Sequence, residues 1–276
     1  MYGEAFSQVL NSHEKALRVE TRNTKGSAEN VPLLEAGKLD LALVAGEIAG
    51  EALLKPGSTL RVITAMYGSP GMFAVRGDSP VRSIADLAGK PVALGAQGSG
   101  LTVLGRSVLR FLDVSCQEIL LEKAGDGPAM VLDGRAAALW GAGVGWPGFE
   151  ALAKAGGRFI APNANEIPRI LARQPLLKPM TLPAGTYPGQ DAPIETVGAW
   201  SFVLAHRDFP GDTAFLLAKT IHAAEAALGG KLAQARQTTM ANTVAAVPRP
   251  EVLHEGVRRY LAEAGLIPRN ATRAAP

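Results

Sequence analysis

The chain has 276 residues, 47% of them hydrophobic and 19% charged, which describes a soluble folded globule with a sizeable core and excludes a disordered chain. A net charge of +3 without any Lys/Arg run argues against nucleic acid, and a single cysteine, Cys116, excludes an internal disulfide and a cysteine-clustered metal site. No stretch approaches the ~18 consecutive apolar residues of a membrane span, so no membrane insertion is expected.

A first helix is expected from about Glu4 to Asn11, then a strand at LRVET (17–21). Ser27 reads as the cap of a helix that Gly37 stops, and LDLALVA (39–45) follows as a strand. LRVITAM (60–66) and MFAVR (72–76) read as two further strands, and Ser83 opens a short helix at SIADLAG. PVALGA (91–96) is a strand running into a Gly-Ser-Gly loop. The helix beyond it carries Leu101, Leu104, Val108 and Leu112 on one face. EILLE (118–122), AAALWG (136–141) and TVGAWSFVLA (196–205) complete the strands, and two long helical segments close the chain around Pro248 and Pro250. In the last of them Leu253, Val257, Tyr260 and Leu261 form the apolar stripe, so Arg258 and Arg259 are expected to face water. Strand–helix alternation predicts an α/β fold with mainly parallel sheets. LLEAGKLDLALVAG and MVLDGRAAALWGAG share one pattern of helix end, glycine turn and apolar strand, which suggests two similar lobes.

The loop most informative about chemistry is Gln97-Gly98-Ser99-Gly100. Ligands of parallel sheets sit beyond the strands' carboxyl ends, where a helix amino end offers free N–H groups to a carboxylate or phosphate. Ser99 with the N–H groups around Gly98–Leu101 suits such an anion, and the same loop also reads as a tight turn with Ser99 capping its helix. It lacks the Gly-Lys-Ser/Thr of a phosphate-binding P-loop and the three-glycine spacing of a dinucleotide fingerprint. The four histidines are scattered, HEGVRR has no second zinc-spaced histidine, and no Gly-x-Ser-x-Gly elbow occurs. With no catalytic set, no metal and no cofactor motif in view, a binding protein is the favoured class. Trp146 and Pro147, just after a strand, read either as core or as a rigid apolar wall of a pocket. The Gly- and Pro-rich PAGTYPGQDAPIETVG, which holds Tyr187 and Thr196, reads as an ordered loop near a hinge.

Taken together, GSAENVPLLEAGKLDLALV, SIADLAGKPVALGAQGSG, GVGWPG, LPAGTYPGQDAPIETVG and LHEGVRRYLAEAGL resemble the TAXI family, the solute-binding proteins of tripartite TRAP transporters. The resemblance runs over nearly the whole chain. It implies a type 2 periplasmic binding fold, two α/β lobes with mixed, mainly parallel sheets closing on a small ligand in a central cleft. Lobe 1 would be residues 1–78 and 197–276, and lobe 2 residues 79–196. It implies a carboxylate ligand, glutamate-like or another organic acid, a membrane permease of the TRAP type as partner, a periplasmic location and a monomer.

Under that resemblance the ligand would meet Tyr2, Ser27, Asn30, Gly98, Ser99, Gly100, Thr102, Trp146, Pro147 and Thr196. Tyr2 would be the last tyrosine of a family loop that follows an interior strand. Upstream residues with an export signal are therefore expected, together with either a gap between 17–21 and 39–45 or a ladder closed by some unusual substitute. An enzyme on the same fold, of phosphoribosyltransferase or cofactor-biosynthesis type, is the rival reading, and a ligand-sensing effector domain is another.

Overall fold

The computed structural model describes residues 2–97, 99–123, 125–174 and 177–269. In chain order its first elements are helices α1 (Tyr2–His13) and α2 (Ser27–Glu35), strand β1 (Leu41–Val44), helix α3 (Gly46–Leu54) and strand β2 (Leu60–Val75). Then follow β3 (Pro91–Ala96), α4 (Gly100–Phe111), β4 (Gln117–Leu121), α5 (Asp126–Leu132), β5 (Ala138–Ala142) and α6 (Pro147–Lys154). The remainder is β6 (Arg158–Ile160), α7 (Glu166–Arg173), β7 (Leu177–Leu182), β8 (Ile194–His206), α8 (Gly211–Ala223), α9 (Glu225–Lys231), α10 (Met240–Ala246) and α11 (Glu255–Glu263). The chain divides into unit 1, residues 1–67 with 200–276, and unit 2, residues 68–199. Both crossings fall inside long strands, β2 and β8. The first therefore comes earlier than the expected boundary at residue 78.

In unit 2 the sheet order is β2–β5–β3–β4. β3 pairs in parallel with both β4 and β5, whereas β2 runs antiparallel to β5 and β6, and β7 runs antiparallel to β8. The sheet is mixed, as expected, with more antiparallel pairing than the alternation of elements implied. Alternate residues serve opposite faces. Phe73, Val75, Val92, Leu94, Ala138 and Trp140 enter one core, while Met72, Ala74, Ala93 and Leu139 enter another. Helices cover both faces, so the strands read as unbroken apolar runs.

Unit 1 has one core, to which α1, α8 and α11 contribute Leu10, Leu217, Ile221, Val257 and Leu261. Here β1 pairs antiparallel with β8, Leu41 opposite Ala205 and Val44 opposite Phe202. β1 has no other partner strand among the described residues. The expected strand at 17–21 is absent: that segment has no partner strand among the described residues. Asn11 holds Val19 from both sides, its Nδ2 donating to Val19 O (2.9 Å) and its Oδ1 accepting Val19 N–H (2.7 Å). Between this segment and the edge of β1 lies an open slot of about 800 Å³, which corresponds to the first of the two expected arrangements.

Other expectations need correction. The runs at 60–66 and 72–76 are one strand, and SIADLAG forms a single 3₁₀ turn (Ala85–Leu87). The shared pattern in the two halves holds: α2 and α5 each end in a glycine of positive φ, Gly37 and Gly134, ahead of β1 and β5.

Candidate functional site

Because β3 and β5 are parallel, the loops after them open at the same end of the unit 2 sheet. Gly71 sits at that end as well, opposite Ala142. Ser99 is the N-cap of α4, its Oγ accepting Thr102 N–H at 3.2 Å. Thr102 is fully buried, and its hydroxyl donates to Ala96 O at 2.8 Å, tying the first turn of α4 back to the end of β3. Gly95 makes this possible: at φ 122° it takes a left-handed conformation, and a Cβ there would stand 2.9 Å from Thr102 Oγ1. Ser99 Oγ lies 3.0 Å from Thr102 Oγ1 and remains partly exposed, as does Gly100. No acceptor among the described residues takes the N–H of Gly100 or Leu101. Gly98, also expected here, lies outside the described residues.

Next to this loop, Trp146 is the N-cap of α6 and Pro147 its first residue. The Trp146 ring is half-buried, packed edge-on to Phe149 with centroids 4.9 Å apart, and it fills the space that side chains at Gly141 and Gly148 would occupy. It is packed against the core on one side and partly exposed on the other. Pro147 is exposed. The loop is fixed by a residue that the sequence did not single out for the site. Tyr187, 2% exposed, receives Trp146 N–H on its Oη and donates to Gly143 O, each at 3.0 Å. Burial pushes its phenol above the ordinary value. Thr196 is fully buried, and its hydroxyl donates to Gly71 O, so its side chain locks β8 to β2 instead of facing outward.

In unit 1, Ser27 does not cap its helix. Gly26 is the N-cap, and Ser27 Oγ accepts Ala45 N–H at 2.9 Å, just past the end of β1. Asn30, 8% exposed, accepts from Thr24 Oγ1 (2.6 Å) and donates to Leu43 O (2.8 Å). Both bind the amino end of α2 to the carboxyl end of β1, and Ser27 stays partly exposed there. Tyr2 donates to Thr238 Oγ1 (2.6 Å), which donates in turn to Met66 O (2.8 Å), and burial holds the Tyr2 phenol well above its ordinary pKa. A further group at this end is Glu47, in the first turn of α3, whose carboxyl burial pushes up. No cation pairs with it among the described residues. A lone glutamate three residues past a strand carries no sequence signal of this kind.

Among the described residues no His/Cys/Asp/Glu group could hold a metal ion, and no helix is long and apolar enough to cross a membrane. This end of the unit 2 sheet presents hydrogen-bond donors at a helix amino end, with a half-buried aromatic side chain on the loop after β5.

Known structures share this fold. A periplasmic sulfonate-binding protein, SsuA, of a putative sulfonate ABC transporter from Methylobacillus flagellatus KT is 13% identical, with a TM-score of 0.57 over 96% of this chain and 82% of that one. A TctC solute binding protein from Polaromonas is 15% identical, with a TM-score of 0.56 over 86% of this chain and 81% of that one. The VFT2 domain of BvgS from Bordetella pertussis, a double mutant, is 16% identical with a TM-score of 0.52 over 84% and 83%. The fold is thus the two-lobed α/β fold of periplasmic binding proteins. Residues 1–265 match the model of the NMT1-like family, and the chain belongs to that family.

Proposed function

We propose that this protein is an extracytoplasmic solute receptor of the TAXI type. It binds a small carboxylate, a glutamate-like amino acid or another organic acid, and delivers it to a TRAP-type permease. The observation that carries the reading is the start of α4: Ser99 partly exposed, with the N–H groups of Gly100 and Leu101 lacking an acceptor among the described residues. A carboxylate there gains charge-assisted hydrogen bonds of ~1.5–3 kcal/mol each, with the helix dipole adding ~0.3–1. The half-exposed Trp146 supplies an apolar wall beside it, since the loops after β3 and β5 open together. The family and the shared periplasmic-binding-protein fold agree with a receptor and leave the ligand to be identified.

Calorimetry with a panel of amino acids and organic acids, followed by Ser99→Ala, tests the reading. Ser99 Oγ must exchange its contact with Thr102 for the ligand, so the loss should be modest, about 1–2 kcal/mol or roughly 5- to 30-fold in affinity. Unchanged affinity would remove the anion from this loop, and binding of uncharged solutes alone would overturn the ligand class.

A further inference from the structure

We infer that unit 1 carries a separate site for a phosphate group, formed by Arg61, Arg207 and Arg258 at the end of its sheet opposite Ser27 and Ala45. Three backbone bonds bring these residues to one place. Arg207 N–H donates to Thr59 O (2.6 Å), His254 N–H donates to Val62 O (2.9 Å), and Arg258 N–H donates to His254 O (2.9 Å). β8 ends here beside the start of β1, since Leu41 pairs with Ala205. Hence the place is remote from the ligand-facing end of β1, and it belongs to no part of the function proposed above.

The charges are not balanced locally. Neither Arg61 nor Arg258 meets a carboxylate within salt-bridge distance among the described residues. Arg207 Nε reaches only the exposed Asp208, at 3.9 Å. The other acids nearby are engaged or peripheral: Asp212 holds Arg259 at 2.7 Å, Asp208 also faces His206 at 3.4 Å, and Glu255 is exposed. Arg61 Nη1 is fixed by the carbonyls of Ser58 (3.0 Å) and Leu60 (2.7 Å), which orients the fork, and the residue is partly exposed. Arg258 Nε is buried with no acceptor, although Arg258 itself is only partly buried. Burial, then Arg207 and Arg258, hold the Arg61 guanidinium below its ordinary pKa, as expected of like charges that lack a counter-ion. The amino ends of α8 and α11 meet here too, and they touch so closely that a Cβ on Gly256 would collide with Gly211 O. Their dipoles add to the positive field.

Guanidinium forks match the oxygens of a tetrahedral oxyanion, and three of them suit a group bearing more than one negative charge. A phosphate group is the common chemistry, whether free in solution or as a lipid headgroup. The test uses the full chain and inorganic phosphate as probe. Its melting temperature should rise saturably with phosphate and not with chloride at equal ionic strength. Arg61→Gln and Arg258→Gln should each weaken the apparent affinity at least about tenfold. Arg207→Gln, at an exposed position, serves as the variant that keeps the fold if either of those does not. Co-sedimentation with phosphatidylcholine vesicles containing phosphatidylglycerol, displaced by phosphate, would assign the group to a lipid, and its absence would assign it to the free ion. No phosphate-specific shift, or a shift that survives all three substitutions, would overturn the site.

Discussion

The Tyr187 hydroxyl stands between Trp146 N–H and Gly143 O, 3.0 Å from each, and so closes the loop after β5 with one side chain. Tyr187→Phe keeps the ring packing against Phe149 and Phe159 and removes only these two bonds. Part of the loop is exposed and can recruit water, so the expected loss is about 1–2 kcal/mol of unfolding free energy. Urea denaturation reads it as a lower midpoint at constant slope. A midpoint equal to the parent protein's would mean that the loop is held by other contacts.

The edge of β1 gives a second expectation. Leu43 O accepts from Asn30 and Ala45 N–H donates to Ser27, so odd-numbered backbone groups of β1 point away from β8 and into the slot. Ala42 and Val44 point toward β8. Amide exchange should therefore be faster at Leu41 and Leu43 than at Ala42 and Val44, by about two orders of magnitude or more. Equal protection of all four amides would show that something pairs along this edge in solution.

How much of this was legible differs from element to element. β3 was read to the residue, because an apolar run bounded by Pro91 and the Gln97 loop has one sensible interpretation. β2 was split in two because Gly68-Ser69-Pro70-Gly71 is turn chemistry, yet the strand runs on through it, with Gly71 paired to Ala142 and clamped by the Thr196 hydroxyl. LRVET has the composition of a strand but no neighbour to pair with, and Asn11 supplies for Val19 alone what a neighbouring strand would supply for the whole segment. Ser99 was legible as the cap of α4, because a serine just ahead of an apolar-periodic helix is capping chemistry. Ser27 was misread as a cap because its actual partner, Ala45, is set by tertiary packing. Tyr187 could not be assigned to Trp146, since nothing in the sequence links residues so far apart.

A pH dependence is built into α11. His254 caps that helix by accepting Gly256 N–H on Nδ1 (3.2 Å), so the proton sits on Nε2. Nε2 is buried and points toward the carbonyls of Phe209 and Arg207 without reaching hydrogen-bond geometry. Burial lowers the pKa from 6.5, the two carbonyls and Glu255 oppose that shift, and Arg61 adds to it. A base with a lowered folded pKa contributes stability that is present above the unfolded value and is lost as pH falls through the folded one. Stability should thus decline below about pH 6.5, and His254→Asn, which retains a capping acceptor, should flatten that part of the profile. A variant with the same slope would place the acid sensitivity elsewhere.

Glu47 has the opposite dependence. Its carboxyl is raised above the ordinary 4.5 by burial, with its own backbone N–H pulling it back down. The folded protein therefore holds a proton there that the unfolded chain has released, over the window that begins near 4.5 and ends at the raised value. Glu47's contribution is most favourable below that window and is lost as pH rises through it. Glu47→Gln removes the charge and keeps the shape. At about pH 7 the variant should be the more stable of the two, and the difference should shrink toward zero as pH falls below about 4.5. Chemical denaturation of both proteins across that range provides the measurement. A parent protein that proves the more stable at neutral pH would mean that Glu47 has a cationic partner in solution.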